Sequence, residues 1–259
     1  QIGPAGENLV RFAAIMNMVN RANGRTGMGA VMGSKRLKAV VVRGSKPPTP
    51  ARPEEFRGLV KRLKALQEAN PGIVWFGEYG TPGVLAIQDK MGGLPTRNYT
   101  EGTFEHAGAI DGTTLAKTIL KERDTCYACV VKCKRTVEVN DPDVQVPPVY
   151  GGPEYETLAL FGSMCGVGDL KLLARASADA NMYGMDTISC GGTIAWAMEA
   201  KAKGLLDDGG LGLAFGDGQS VLRAIEAIAL RRGAGDLLAE GSLRAAKTLG
   251  PAAVDLPVT

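Results

Sequence analysis

Pro47-Pro48-Thr49-Pro50-Ala51-Arg52-Pro53-Glu54-Glu55-Phe56 divides the chain into two unlike parts. Proline fixes φ and removes a backbone donor, so residues 45–52 read as a linker. Beyond it, Phe56, Leu59, Val60, Leu63 and Leu66 recur at i, i+3, i+4, i+7 spacing, one apolar face of a helix that Pro53 opens. The pattern stays helical from there, with further helices expected at 113–123, 154–164, 169–184, 187–203, 218–232 and 235–248. The Gly-, Pro-, Asp- and Thr-rich stretches 91–112 and 134–153 read as loops. Before the linker, Leu9 to Ile15 alternates partly like a strand, and Leu37 to Val42 is apolar and β-branched enough for a buried strand. Between them lie the glycine loop Asn20 to Gly29 and a short helical stretch, Ala30 to Lys35. No repeat emerges. The expected fold class is mainly α: a multihelical body preceded by a short β-containing N-terminal part.

Composition narrows the function. The 259 residues include 35 glycines, roughly one in seven against a usual ~7%. Hydrophobic residues make up 45% and charged residues 22%, enough to bury a core, which excludes intrinsic disorder. The glycines follow no three-residue period, which excludes collagen. A net charge of +3, from 30 basic and 27 acidic residues, is too mild for a dedicated nucleic-acid binder. No run approaches the ~18 apolar residues of a membrane span, and no signal-peptide pattern opens the chain, so it reads as soluble. It begins Gln1-Ile2-Gly3-Pro4 without a methionine, as an excerpt of a longer protein would. A single histidine, His106, excludes two-histidine zinc motifs. Five cysteines, an odd count with three inside eight positions, argue against a secreted disulfide framework and for a reducing cytoplasm.

Those three lie in Asp124-Thr125-Cys126-Tyr127-Ala128-Cys129-Val130-Val131-Lys132-Cys133, a C-x2-C-x3-C arrangement. Thiolates at this spacing converge on one compact inorganic core, and an iron–sulfur cluster needs soft, deprotonated sulfur ligands, usually four for [4Fe–4S]. Cys126, Cys129 and Cys133 would supply three, and the fourth must come from elsewhere, with Cys165, Cys190 or a cysteine beyond Thr259 as the candidates. The competitor is structural zinc, with His106 completing a Cys3His set, although zinc motifs more often come as two separated CxxC pairs. Cys165 and Cys190 each sit beside glycine near an expected helix end and read first as buried core thiols.

Three segments together resemble one family. They are Ile2 to Phe12 with Gly27-Met28-Gly29-Ala30-Val31-Met32-Gly33-Ser34-Lys35; the cysteine trio; and Gly152-Pro153-Glu154-Tyr155-Glu156-Thr157 followed by Asn181-Met182-Tyr183-Gly184-Met185-Asp186-Thr187. In this order they are similar to the aldehyde ferredoxin oxidoreductases, tungsten enzymes whose chains are more than twice as long. The resemblance implies that residues 1–44 end a β-rich pterin-binding domain, that 45–52 link it onward, and that 53–259 form the helical domain carrying the iron–sulfur motif. It places the fourth cluster cysteine and an active-site histidine outside these 259 residues.

The resemblance also assigns residues. The loop Arg25, Thr26, Gly27 would meet pterin phosphates: backbone N–H groups ahead of a helix favour anions, and the Arg25 fork suits phosphate. The Thr26 carbonyl would help hold a phosphate-bridging Mg2+. Asn181, Gly184, Met185 and Asp186 resemble the pterin-gripping pattern D-x-x-G-L-D, with Asn181 in place of its first acid. By itself that segment also reads as a helix end with Gly184 as its C-cap. Glu154 and Glu156 stand at a helix start, where the dipole alone would favour them. The resemblance makes one of them an active-site acid or base, and Glu156 fits the spacing better, with a carboxyl raised toward neutrality in a closed pocket.

The function implied is oxidation of small aldehydes to carboxylic acids at a tungsten (or molybdenum) bis-pterin. Electrons would leave through the [4Fe–4S] cluster to a ferredoxin-like acceptor, in a cytoplasmic protein for which a homodimer is compatible. The rivals are a same-family reductase subunit of the benzoyl-thioester type, a non-catalytic iron–sulfur electron-transfer module, and a helical scaffold with structural zinc.

Overall fold

A computed structural model of the chain describes residues 1–256. It opens with a helical turn, α1 (Pro4–Glu7), a two-residue hairpin β1 (Met16–Asn17) and β2 (Arg21–Ala22), and the short helix α2 (Met28–Ser34). The body continues through α3 (Pro53–Glu68), α4 (Pro71–Tyr79), α5 (Val84–Lys90), α6 (Ala107–Ile110) and α7 (Gly112–Thr118). Two small hairpins follow, β3 (Leu120–Asp124) with β4 (Lys134–Val137), and β5 (Val139–Asn140) with β6 (Gln145–Val146), both antiparallel. The rest is helical: α8 (Tyr155–Phe161), α9 (Leu170–Tyr183), α10 (Thr187–Ala202), α11 (Gly218–Leu230), α12 (Ala234–Leu238), α13 (Ser242–Leu249) and α14 (Pro251–Val254). The mainly-α class holds, with strands only as isolated pairs among the described residues.

The core sits where α8 packs on α10 and α9 on α11. Leu158, Phe161, Leu173, Ile194, Trp196, Ile225 and Ile228 are all inaccessible or nearly so. Three of these helices start alike. Asp169, Asp186 and Asp217 accept N–H bonds of 2.9–3.2 Å from the first turns of α9, α10 and α11, satisfying donors that no intrahelical carbonyl reaches, a cap worth about 1 kcal/mol each.

Several sequence expectations fail for identifiable reasons. Residues 9–15 form no strand: Leu9 takes a positive φ, and only single bridges, Ile2 to Ile15 and Ala13 to Met185, join this stretch to others. Residues 37–42 also pair with no strand, and Val40, Val41 and Val42 are exposed, because among the described residues no edge lies beside them. The expected helix at 113–123 stops at Thr118 and turns into β3, whose charged Lys121-Glu122-Arg123 gave no strand signal. The expected loops at 91–112 and 134–153 contain α6, β4, β5 and β6, and the helix expected at 235–248 is broken at Gly241 into α12 and α13. Helix α3 forms as predicted, but its apolar face buries nothing: Phe56, Leu59, Val60, Leu63 and Leu66 are all exposed.

One seam joins the N-terminal part to the body. The Ala14 amide donates to the Gly184 carbonyl at 2.8 Å and the Asp186 amide to the Phe12 carbonyl at 3.0 Å. Gly184 makes the approach possible. It caps α9 in the left-handed region at φ +77°, and a Cβ there would lie 2.8 Å from the Gly3 amide nitrogen. Left-handed backbone alone costs an alanine roughly 1–2 kcal/mol. Gly184→Ala should therefore lower unfolding stability by about 2 kcal/mol, read as a reduced urea midpoint; an unchanged midpoint would show that the seam does not carry the N-terminal part.

Candidate functional site

The seam opens beside a cleft of about 570 Å3. Arg25, Thr26 and Gly27 line one side, Ile188, Ser189, Thr193 and Trp196 of α10 another, and Arg11, Glu240 and Arg244 the rim. Gly27 is left-handed at φ +67° and starts α2. The Arg25 side chain is 57% exposed; its Nε donates to Asp186 Oδ2 at 3.2 Å and its Nη2 to Ser189 Oγ at 3.4 Å, so one edge of the guanidinium is anchored to the start of α10 and Nη1 is left for a ligand. Three arginines, a glycine turn and several hydroxyls make a lining suited to phosphate, and the floor is apolar, with Leu160 and Ile188 lying over the fully buried Met164 and Trp196. The phosphate end of a pterin cofactor fits these residues.

The second half of the expected grip is partly committed elsewhere. Asp186 is almost fully buried, and its carboxylate accepts from Ile188 N, Ser189 N and Arg25, three of about four lone-pair sites. It acts first as a helix cap. Asn181 donates to the Tyr150 carbonyl at 2.9 Å and ties α9 to the turn after β6. Met185 is a core side chain, 1% exposed, so only its backbone is open to a ligand role. Gly184 is the C-cap of α9, as its residues alone suggested.

The cysteine loop is the tip of the β3–β4 hairpin. Cys126 and Cys129 are exposed and Cys133 is half-buried. The Cys129 amide donates to the Cys126 carbonyl at 3.1 Å, Thr125 Oγ1 donates to the Cys129 carbonyl at 2.6 Å, and Ala128 and Lys132 take left-handed φ, so the backbone reverses twice within eight residues. Burial, and then the nearby Glu154 carboxylate, push the Cys133 thiol up. Among the described residues no three Cys, His, Asp or Glu side chains converge closely enough to clamp one metal ion, and His106 does not join the trio. That geometry disfavours a mononuclear Cys3His zinc site. A polynuclear core asks less, because each of its sulfur ligands binds a different metal atom. The loop carries three thiols within eight residues, two of them exposed. Cys165 and Cys190 are fully buried; the Cys165 Sγ lies 3.3 Å from the Leu160 carbonyl, and burial raises both thiols far above their usual range. Both are core residues.

The two acids differ in setting. Glu154 pairs with Lys134 Nζ at 2.9 Å and accepts from the Thr81 hydroxyl, at the foot of α8 beside the cysteine loop. Glu156 is exposed on the first turn of α8, one helical turn before Leu160 of the cleft floor. The closed pocket expected around it is not built by these residues.

Sequence reasoning missed two features of the rim. Arg97, Asn98 and Tyr99 are three successive left-handed residues, held by Arg97 N to Ser163 O at 3.0 Å and Asn98 N to Met164 O at 3.2 Å, which bring Asn98 and Tyr99 to the cleft. Nothing in their identity signals this. The other feature is Arg231. It donates to the Asn8 and Leu9 carbonyls at 2.6 and 2.9 Å and to Glu240 at 2.7 Å, while Arg11 reaches the same carboxylate at 2.8 Å. A lone charge at Arg11 inside an apolar run was the available clue.

The profile described as aldehyde ferredoxin oxidoreductase, domains 2 & 3, matches residues 58–259, and that of the same enzyme's N-terminal domain matches residues 1–44. This chain belongs to the aldehyde ferredoxin oxidoreductase family. It is 44% identical over 255 residues to a tungsten-containing aldehyde ferredoxin oxidoreductase of Thermococcus kodakarensis, covering 96% of this chain and 41% of that one. The corresponding protein of Pyrococcus furiosus is 42% identical over 258 residues, with the same coverage. A more distant P. furiosus relative, described as an aliphatic sulfonate oxidoreductase, WOR-like subunit, is 31% identical. Among solved structures, the active-site complex BamBC of benzoyl-coenzyme A reductase with 1,5-dienoyl-CoA superposes with a TM-score of 0.76 at 29% identity, covering 98% of this chain and 40% of its own. The chain thus spans about 41% of the length of the curated relatives. No single described helix is long and apolar enough to cross a membrane.

Glu240 offers a test of how the rim is held. Burial works to raise its carboxyl, but Arg11 and Arg231 win and hold it below the usual range. A carboxyl lowered in the folded state adds stability above its unfolded value near ~4.3 and loses it as pH falls through the folded value. Glu240→Gln should therefore cost about 0.5–1 kcal/mol at neutral pH, with a deficit that shrinks as the pH falls through the lowered carboxyl value of the folded state. A deficit constant with pH would mean that packing, not charge, holds the rim.

Proposed function

We propose that this chain is part of a tungsten- or molybdenum-pterin oxidoreductase that oxidises aldehydes to carboxylic acids and passes the electrons through a [4Fe–4S] cluster to a ferredoxin-like acceptor. The observation that carries the reading is the joining, in one chain, of an arginine-rimmed cleft beside the Arg25-Thr26-Gly27 turn and a three-thiol loop, in a sequence 44% identical to an enzyme so named. The division into residues 1–44, a linker at 45–52 and a body at 53–259 belongs to the same proposal, as do a cytoplasmic location and a homodimer.

The overall change is RCHO + H2O → RCOOH + 2 H+ + 2 e−. A pterin-held tungsten supplies, when bound, an acceptor for the electron pair. The residues of this chain supply the rest. Arg25, with Arg11 and Arg244 across the rim, neutralises phosphate charge, and the backbone of Thr26 and Gly27 lends N–H donors and the Thr26 carbonyl for a bridging Mg2+. Of the 181–186 segment, the backbone amides of Gly184 and Met185 are taken up by the α9 cap and the Gly184 carbonyl by Ala14, so the remaining acceptor site of Asp186 and the side-chain oxygen of Asn181 are the groups that would meet a ring edge. Cys126, Cys129 and Cys133 give three thiolates. Glu156 is the proton acceptor for the water that adds to the carbonyl carbon; Glu154, bound to Lys134, steadies the foot of α8 instead.

Glu156→Gln keeps shape and removes the base. Aldehyde turnover should fall by about 100-fold or more, with metal content unchanged. Near-normal turnover would remove Glu156 from the chemistry. The likeness to the benzoyl-coenzyme A reductase complex favours a second reading, a reductase acting on an aromatic thioester, and a screen of aldehydes against aromatic thioesters separates the two.

A further inference from the structure

Among the described residues, two buried side-chain nitrogen or oxygen atoms have no hydrogen-bond partner: Arg21 Nη1 and Arg135 Nε. Both belong to arginines that grip the cysteine loop, one at each end. Arg21, on β2 of the N-terminal hairpin, donates through Nη2 to the Thr125 carbonyl at 3.0 Å and pairs with Asp124, the two residues just ahead of Cys126. Arg135, 1% exposed, donates through Nη2 to the Lys132 carbonyl at 2.6 Å, just ahead of Cys133, and to the Gly77 carbonyl at 2.9 Å. Its Nη1 donates to the Glu78 carbonyl.

The end of α4 is shaped to admit this arrangement. A Cβ on Gly80 would lie 2.5 Å from the Cys133 carbonyl and 3.0 Å from Arg135 Nε, and one on Gly77 would lie 2.5 Å from the Val131 carbonyl. The loop therefore lies directly on two glycines, and the spare N–H of Arg135 sits beside the backbone of a thiol donor. A buried guanidinium N–H without an acceptor costs about 1–3 kcal/mol, more than a neutral donor, and well-packed proteins rarely leave one. Two such donors, both cationic and both at the ends of one three-thiol loop, indicate an anionic acceptor there.

We propose that Arg21 and Arg135 are positioning residues that clamp the ends of the cysteine loop and reserve one N–H each for the anionic sulfur of a cluster held by Cys126, Cys129 and Cys133. The inference rests on the cluster reading above and adds a function to it. Positive charge and N–H bonds at the sulfurs stabilise the reduced, more negative state, so the two arginines raise the reduction potential. Because Arg21 lies on the hairpin that leads into Arg25-Thr26-Gly27, it also couples the position of the phosphate turn to that of the cysteine loop.

The test is a redox titration, followed by electron paramagnetic resonance, of the anaerobically purified full-length protein and of its Arg21→Gln, Arg21→Lys and Asp124→Asn variants, with iron counted in each. Arg21→Gln should keep its iron and show a roughly tenfold lower reduced-to-oxidised ratio at fixed poise, equivalent to about 59 mV for one electron. Arg21→Lys, which keeps the charge, should shift less. Asp124→Asn removes the acid that offsets Arg21 and should shift the potential upward. If Arg21→Gln loses its iron, Asp124→Asn decides, since it leaves Arg21 in place. Iron retained with unmoved potentials overturns the inference alone; an unmodified protein without iron overturns the cluster reading beneath it.

Discussion

Two backbone hydrogen bonds, Ala14 N to Gly184 O and Asp186 N to Phe12 O, decide where everything else can stand. They set an irregular N-terminal segment against the corner between α9 and α10. That corner has no side chain at Gly184 to keep the strands of backbone apart. Arg231 and Glu240 extend the attachment on one flank by holding the Asn8 and Leu9 carbonyls and the Arg11 side chain. Arg21 extends it on the other by reaching Asp124 and Thr125. The N-terminal part is thus fixed by backbone and charge-assisted bonds together with Ala5, Val10, Phe12 and Ala13, which are buried in the same apolar core as the body.

That attachment makes two anion-receptive regions neighbours on one scaffold. In the cleft the positive charge is exposed and partly free, as Arg25 illustrates. At the cysteine loop it is buried and holds carbonyls, as Arg135 illustrates. The difference suits different guests. A phosphate arriving from water needs charge it can reach, whereas a cluster built into the protein needs charge that stays in place. The core helices contribute position only: α10 lines the cleft through Ser189 and Thr193 while its Trp196 and Ile194 are locked in the interior.

The parts of the fold that were readable from the sequence are those whose signals are local. Helices α9 and α11 carry apolar periodicity, α10 is apolar on nearly every side, and an aspartate stands at the start of each and caps it. The cysteine trio and the glycine turn were readable because spacing alone restricts what they do. Unreadable parts depend on partners far away in sequence. Lys121-Glu122-Arg123 becomes a strand only because Lys134 to Val137 lies opposite, and Val40 to Val42 has strand composition but no edge to join. The cap that Asp186 makes is local, but its pairing with Arg25, 161 positions earlier, is set by the fold and carries no mark in the sequence. The left-handed run Arg97-Asn98-Tyr99 had no sequence mark, since none of the three is glycine.

The measurement that tests the account most directly is elemental analysis of the anaerobically purified full-length protein for tungsten, molybdenum, iron and zinc. Tungsten or molybdenum together with about four irons per chain is the predicted result. Iron without tungsten or molybdenum, or zinc alone, would contradict the account: the first would leave an electron-transfer module, and the second a structural metal at the cysteine loop.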